Sequence, residues 1–135
     1  MLLDKQFIAE IDAMDEDMAE RIFWEHRWFP DGIPRCPKCG SFGYTRITTR
    51  RRLDCVECDH EYTAKSGTIF ASSTLSFRQL LKAVCLADED NLTRKRVRDV
   101  VGVSESGASP LLQRIRVIRV TGGVVAKDLP YGKKR

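Results

Sequence analysis

Apolar residues recur at helical intervals near the start of the chain. Their spacing over residues 4–28 predicts an amphipathic helix in two pieces, with its apolar stripe facing a core. Asp15 is the predicted N-cap of the second piece, because carboxylates at a helix start favour the helix dipole. Pro30-Asp31-Gly32 is a turn sequence and predicts that the helix ends near Trp28. The stripe consists of Phe7, Ile8, Ile11, Met18, Ile22, Phe23 and Trp24.

The middle of the chain changes to a strand-like pattern. Residues 44–49 are rich in β-branched and aromatic side chains and alternate in polarity, which predicts a strand. Leu53 and the pair Tyr62-Thr63 are predicted to supply the partner strands. A run of three arginines is predicted at the tip of the central hairpin, where it is either a phosphate contact or a solvated turn. These residues are Arg50, Arg51 and Arg52.

Residues 73–120 return to a helical pattern. Ser73, Thr74 or Ser76 is predicted to cap a helix from about 77 to 87, and Thr93 to cap a second helix over 94–101. Leu111, Leu112, Ile115 and Ile118 follow at the spacing of a third helix. The turn Gly102-Val103-Ser104 between the last two helices is typical of a helix-turn-helix. In that motif one helix crosses the DNA phosphates and the next enters the major groove.

The sequence allows two alternative N-caps for the last helix. Ser104 is a good cap, but it places Pro110 inside the helix, where proline has no N–H for the carbonyl of residue 106. Ser109 as the cap places Pro110 at the first helical position, which favours proline. The second start would shift the base-reading set toward Ser109, Gln113 and Arg116.

Four of the five cysteines form two C-x2-C pairs, separated by the fifteen residues 40–54. This spacing is typical of a four-thiolate zinc site, because a tight turn brings two sulfurs to one ion and a hairpin returns the second pair. An iron–sulfur cluster and two disulfides are the alternatives, and the spacing favours one structural Zn²⁺. A closed site of this kind is not catalytic. The predicted ligands are Cys36, Cys39, Cys55 and Cys58.

The other cysteine and the two histidines are not predicted to bind metal or to catalyse. Cys85 lies in an apolar helical stretch and is predicted to be buried. His60 is close to Cys58 in the sequence, but four thiolates already complete the site. His26 has no ligand partner at a suitable spacing.

These patterns predict a small α+β protein with N-terminal helices, a treble-stranded zinc ribbon and a C-terminal helix-turn-helix bundle. Residues 1–32 are the predicted acidic helical segment, 33–72 the zinc ribbon, and 73–120 the helix-turn-helix. Residues 121–135 are the predicted basic tail, and 124–125 within it are compatible with a short strand. The 135 residues suit one ordinary domain or two small ones.

Composition favours a globular protein, and the first residues of the chain favour a location in the cytoplasm. The chain is 42% hydrophobic and 31% charged, which is typical of globular chains rather than disordered or membrane ones. No apolar run approaches the ~20 residues that span a bilayer, so no membrane partner is predicted. The N-terminus lacks the basic-then-apolar layout of a secretory leader, so export is not expected.

Charge is distributed unevenly and favours nucleic acid as the partner, and the helix-turn-helix pattern specifies double-stranded DNA. Residues 1–35 contain nine acidic and four basic residues (net −5), and the rest contains nineteen basic and ten acidic (net +9). The predicted phosphate contacts of the helices are Arg94, Lys95, Arg96 and Arg98. The predicted base contacts are Ser106, Ser109, Gln113 and Arg116, because Gln reads adenine and Arg reads guanine bidentately.

Three stretches carry a family resemblance. They are W-F-P-D-G-I-P-R-C-P-K-C-G-S, R-R-R-L-D-C-V-E-C and Y-T-A-K-S-G-T-I-F-A-S-S-T-L-S-F-R-Q-L-L-K-A. Together they resemble the zinc-ribbon N-terminal region of bacterial insertion-sequence transposases, over roughly residues 15–120. The most specific parts are P-D-G and S-G-T-I-F. Phe29 is a departure, because the family usually goes straight from Trp to Pro.

The resemblance implies that the ribbon and the helix-turn-helix bind DNA ends. It also implies a bacterial protein of the cytoplasm that is associated with the nucleoid. In that family a separate RNase H-like domain cuts DNA with an acidic triad and metal ions. The fifteen residues after Val120 are too few for such a domain, which needs ~100 or more, and Asp88, Glu89 and Asp90 are adjacent rather than convergent. We therefore predict a non-catalytic, zinc-stabilised DNA-binding protein of transposase-like origin that acts as a transcriptional regulator.

Three alternative functions stay open. The first is the end-recognition part of a truncated or split transposase. The second is an adaptor whose ribbon binds the transcription machinery, for example RNA polymerase, with residues 1–35 as a docking surface. The third is an RNA target. Tyr44 and Tyr62 are the only obvious stacking residues of the ribbon, and this small number argues against RNA. A homodimer is compatible with the DNA-binding hypothesis.

Overall fold

The computed structural model of the protein describes residues 3–28 and 31–125. The chain divides into two compact units. Of the described residues, unit 1 combines 3–23 with Thr74–Gly123, and unit 2 combines 24–28 and 31–73 with 124–125. Phe29 and Pro30 of the predicted turn, and residues 126–135 of the predicted tail, lie outside the described residues. The four segments predicted from the sequence are divisions along the chain and stay predictions.

The N-terminal helix is in two pieces, as predicted. A 3-10 turn at Lys5–Phe7 leads into helix α1 (Ile8–Asp12), and helix α2 covers Glu16–Arg27. The carboxylate of Asp15 accepts a hydrogen bond from the backbone N–H of Met18 at 2.9 Å, which confirms the predicted cap. Met18 itself is 48% exposed, so its assignment to the core stripe is wrong. It lies about 100° around the helix from the buried Ala19, at the edge of the buried face.

Three helices follow in the C-terminal part of unit 1. They are α3 (Phe77–Leu86), α4 (Arg94–Val97) and α5 (Glu105–Thr121), and a π turn at Arg98–Gly102 continues α4. Cys85 is fully buried in α3, as predicted. No helix in the described ranges combines the length and apolar character that crossing a bilayer requires. The core that these helices share with α1 and α2 consists mainly of Ile11, Ile22, Phe23, Phe77, Leu80, Leu81, Val84, Leu86, Val97, Val101, Leu111, Leu112, Ile115 and Ile118.

The start of α3 is tied to two other parts of unit 1. Ser76 is the cap that the structure selects among the three predicted ones, and it forms a reciprocal capping box with Gln79. The carboxylate of Glu16 accepts hydrogen bonds from the backbone N–H groups of Phe77 and Arg78. The side-chain amide of Gln79 also donates to the carbonyl of Val101 at 3.2 Å, which connects the α3 cap to the π turn.

The turn before α5 settles the open choice of helix start. Ser104 accepts a hydrogen bond from the N–H of Gly107 at 3.1 Å and caps the helix, so the start at Ser109 is wrong. Pro110 lies inside α5. The carbonyl that loses its partner belongs to Ser106, which is exposed, so water can take the place of the missing N–H. Gly102, with φ of +83°, makes the reversal that ends the preceding π turn.

Unit 2 contains the predicted three-stranded antiparallel sheet. Its strands are β1 (Tyr44–Ile47), β2 (Arg52–Cys55) and β3 (Glu61–Tyr62), in the order β1-β2-β3. Tyr44 is paired with Cys55, and Leu53 with Tyr62. At the predicted 124–125 strand there is an isolated bridge between Thr68 and Val125. Among the described residues of unit 2, the buried apolar ones besides cysteines are Trp28, Pro34, Leu53, Tyr62, Ala64, Phe70 and Val124.

Candidate metal centre and nucleic-acid interface

The sulfurs of the four predicted ligands converge at one point of unit 2. All four Sγ atoms lie within 4.8 Å of one another, with 3.6 Å between Cys36 and Cys58 and 3.6 Å between Cys39 and Cys55. Four sulfurs placed tetrahedrally at ~2.3 Å from one ion are about 3.8 Å apart. The cluster therefore has the size that a zinc ion needs.

Each C-x2-C pair aims backbone N–H groups at a sulfur. The N–H of Lys38 lies 3.4 Å from the Sγ of Cys36, and the N–H of Glu57 lies 3.3 Å from the Sγ of Cys55. Both donors come two residues after the first cysteine of their pair. Such hydrogen bonds favour the thiolate, the form of cysteine that binds metal.

The two cysteine pairs also have the same kind of backbone turn. The N–H groups of Gly40 and Asp59, each four residues after the first cysteine, donate to the carbonyl of that cysteine at 2.8 and 3.0 Å. Both residues have positive φ, +80° and +59° respectively. Glycine suits this conformation and aspartate tolerates it better than most residues. The same local fold, used twice, presents the four thiols to a common ion.

Their surroundings make the thiols of Cys39 and Cys55 unequal acids. Burial opposes ionisation of Cys55, but hydrogen bonds from the backbone N–H groups of Cys58 and Glu57 and from the thiols of Cys39 and Cys58 together outweigh it and lower its pKa to about 7. For Cys39 the N–H of Ser41 favours the thiolate, but desolvation and the neighbouring sulfurs raise its pKa to about 12. A divalent cation among the sulfurs removes this conflict, because it stabilises all four as thiolates.

The family comparison agrees with this geometry. Residues 12–61, which contain all four cysteines, match the model of the transposase zinc-ribbon domain. This part of the chain is therefore similar to a transposase zinc ribbon. Its four cysteines are the site of one structural zinc ion, as the spacing predicts. No curated protein and no solved structure matches the chain.

The arginines predicted at the hairpin of the zinc ribbon do not act as one group. Arg50 ends a 3-10 turn at Thr48–Arg50, and Arg51 adopts a left-handed conformation at the tip. Arg52 lies in β2, so its assignment to the tip is wrong. Its guanidinium lies 3.1 Å from a carboxylate oxygen of Asp54 and 3.3 Å from one of Glu61, because the strand brings these acids beside it.

Three of the four predicted phosphate contacts around α4 are paired with carboxylates. Lys95 lies 3.0 Å from Asp99, Arg98 contacts Glu105, and Arg96 makes hydrogen bonds of 3.0–3.2 Å to both oxygens of Glu89. Arg94 is exposed and has no carboxylate partner in the described part of the chain. Asp99 lies four residues after Lys95, a spacing that favours an ion pair on a helix. Glu89 and Glu105 come from outside this segment, and no short motif in the sequence indicates those two pairings.

The predicted base contacts all lie on one side of α5. Ser106, Gln113 and Arg116 are exposed and Ser109 is half-buried, whereas the opposite side of the helix is in the core. On a helical projection these four side chains fall within an arc of about 80°. Two apolar side chains on the same side were not predicted from the sequence. They are Val117 and Val120, which are 43% and 85% exposed.

Proposed function

We propose that the chain is a zinc-stabilised, non-catalytic protein that binds duplex DNA and acts as a transcriptional regulator. In this proposal the segment from α4 through the π turn to α5 is a helix-turn-helix, and α5 is its recognition helix. The observation that carries the proposal is the exposed face of α5, on which Ser106, Ser109, Gln113 and Arg116 are aligned. The zinc-ribbon match adds support, since transposase zinc ribbons generally bind nucleic acid.

The exposed face of α5 has the chemistry that reads base edges. The major groove of B-DNA is about 12 Å wide and admits one α-helix. Gln113 offers an amide for adenine, Arg116 offers a guanidinium for guanine, and serine hydroxyls can donate or accept. The buried face opposite anchors α5 through Leu111, Leu112 and Ile115, so the polar face has a fixed orientation.

Arg94 is expected to contribute more than Arg96 to the electrostatic attraction between the protein and the DNA phosphates. Arg94→Gln should lower the slope of log affinity against log salt by about 1, because one phosphate contact is lost. Arg96→Gln should change the slope less, since Arg96 is already paired with Glu89, whose side chain is only 16% exposed. Fluorescence anisotropy with a labelled duplex over about 50–200 mM salt measures both slopes. Equal losses of slope in the two variants would contradict the assignment.

Gln113 is expected to contribute specificity and little general affinity. Gln113→Ala should weaken binding to the preferred sequence by about 1–3 kcal/mol, because a bidentate base contact is lost. Binding to an unrelated duplex should stay the same, since the substitution removes no charge. Competition titrations with both duplexes give the ratio of the affinity for the preferred sequence to the affinity for the unrelated one. If both affinities fall together, Gln113 does not read a base.

Selection from a random duplex pool, followed by chromatin immunoprecipitation in the native host, tests the proposed function. A regulator binds sites upstream of genes. If the protein shifts no duplex in a gel at low salt, the DNA-binding proposal is overturned and the adaptor function is favoured. Incubation of the bound complex with Mg²⁺ or Mn²⁺ tests the non-catalytic part, and nicking of the duplex would overturn it.

Recognition of transposon ends is a second candidate function. The match of residues 12–61 to the transposase zinc-ribbon domain favours it. The same two experiments separate it from regulation. Selected sequences that match terminal inverted repeats, together with occupancy at transposon termini, would replace the regulatory proposal with this one.

A further inference from the structure

The exposed face of α5 contains an apolar position among its polar ones. Val117 is 43% exposed, and it lies four residues after Gln113 and next to Arg116. The core side of the helix is formed by other residues, among them Leu112, Ile115 and Ile118. Valine is also a weaker helix former than alanine or leucine, so helix propensity does not account for it.

Along the helix, Val117 lies about one turn from Gln113, the residue proposed to read adenine. A straight helix in the major groove touches base edges over only a few turns, because the groove curves away from it. Gln113 is at the centre of the exposed face, and Ser109 and Val117 lie about 6 Å from it along the axis, one on each side. Val120 lies on the same face but about 10 Å from Gln113, nearly two turns away.

The major groove presents one kind of apolar group, the 5-methyl group of thymine. We infer that Val117 is a specificity-determining residue that contacts a thymine methyl group, next to the bases read by Gln113 and Arg116. This inference rests on the proposed duplex-DNA binding. It adds a chemical requirement to the site, namely a 5-methyl pyrimidine at a fixed position.

Replacement of thymine by deoxyuridine tests the contact, because it removes only the methyl group. The duplex is the sequence selected by the full-length, zinc-loaded protein, and each thymine is replaced in turn. Burial of one methyl group predicts about a fourfold loss of affinity at one position for the wild-type protein. Val117→Ala should bind the thymine and deoxyuridine duplexes equally at that position.

Val120→Ala is the matched control, since it removes the same groups from the same face of α5. It should keep the fourfold difference between thymine and deoxyuridine. Thermal unfolding of both variants checks that α5 is intact, and neither change removes a buried side chain. A deoxyuridine effect that persists in Val117→Ala, or none at any position in the wild type, would overturn the inference. Both results leave duplex binding intact, whereas absence of any duplex binding is failure of the proposed function.

Discussion

Removal of zinc from the protein is expected to unfold unit 2. The core of this unit is small, with Trp28, Leu53, Tyr62, Ala64, Phe70 and Val124 as its main buried apolar side chains apart from the cysteines. Binding of a structural zinc ion contributes about 10–16 kcal/mol in comparable small modules, which is as large as the whole stability of a typical domain. Chelation, or Cys36→Ser, should therefore abolish the folded state of unit 2.

Tryptophan fluorescence measures this result selectively. The chain has two tryptophans, Trp24 and Trp28, and both belong to unit 2. Trp28 is only 5% exposed, so unfolding should shift its emission to the red. The helical circular dichroism signal comes mainly from α3 and α5 of unit 1 and should fall much less. Added Zn²⁺ should restore the emission after chelation.

Cys85→Ala is the matched control for the zinc ligands. Cys85 is fully buried in α3, and burial raises the pKa of its thiol to about 12, so it stays protonated. This variant should keep one zinc ion per chain, whereas Cys36→Ser should lose it. Protein purified without oxygen that holds no stoichiometric metal, and that keeps its tryptophan emission in strong chelator, would contradict the metal-dependent fold.

Local chemistry is the part of this protein that its sequence predicts well. The zinc ligands follow from spacing alone, and Asp15, Thr93 and Ser76 cap helices because short-range hydrogen bonds decide where helices begin. The choice between Ser104 and Ser109 depended on an additional fact. Pro110 is tolerated because the carbonyl it leaves unpaired is at an exposed residue, and exposure is a tertiary property.

Contacts between distant residues account for what the sequence does not reveal. Arg96 belongs to a basic run and was predicted to face phosphate, yet Glu89, seven residues earlier, binds it. Glu16 lies in the first turn of its own helix, yet its carboxylate also caps α3, more than sixty residues later. Neither pairing leaves a periodic pattern, because each depends on how the chain packs.

Arg27 is another residue whose role is set by tertiary structure. It is 5% exposed, and its guanidinium donates hydrogen bonds to the backbone carbonyls of Ala64 and Ser66. The same group lies 4.2 Å above the ring of Trp28. A charged side chain buried in this way connects the end of α2 to the loop after β3 within unit 2. Removal of the guanidinium leaves buried carbonyl groups without a donor.

Arg27→Met is expected to lower the free energy of unfolding of the zinc-loaded protein by about 3 kcal/mol. Methionine keeps the apolar stem of the side chain but donates no hydrogen bond, so the loss measures mainly the unpaired carbonyls and the lost cation–π contact. Urea unfolding followed by tryptophan fluorescence gives the value. Arg21→Met, an exposed position on the same helix, should change stability by no more than about 0.5 kcal/mol.

Zinc content separates this effect from damage to the metal site. Arg27 is not a ligand, so Arg27→Met should retain one zinc ion per chain under native conditions and still unfold at lower urea. Arg27→Lys should recover only part of the lost stability, because a lysine is a point charge without the planar fork that serves two carbonyls. If Arg27→Met and Arg21→Met unfold at the same urea concentration, the buried guanidinium does not hold the loop after β3.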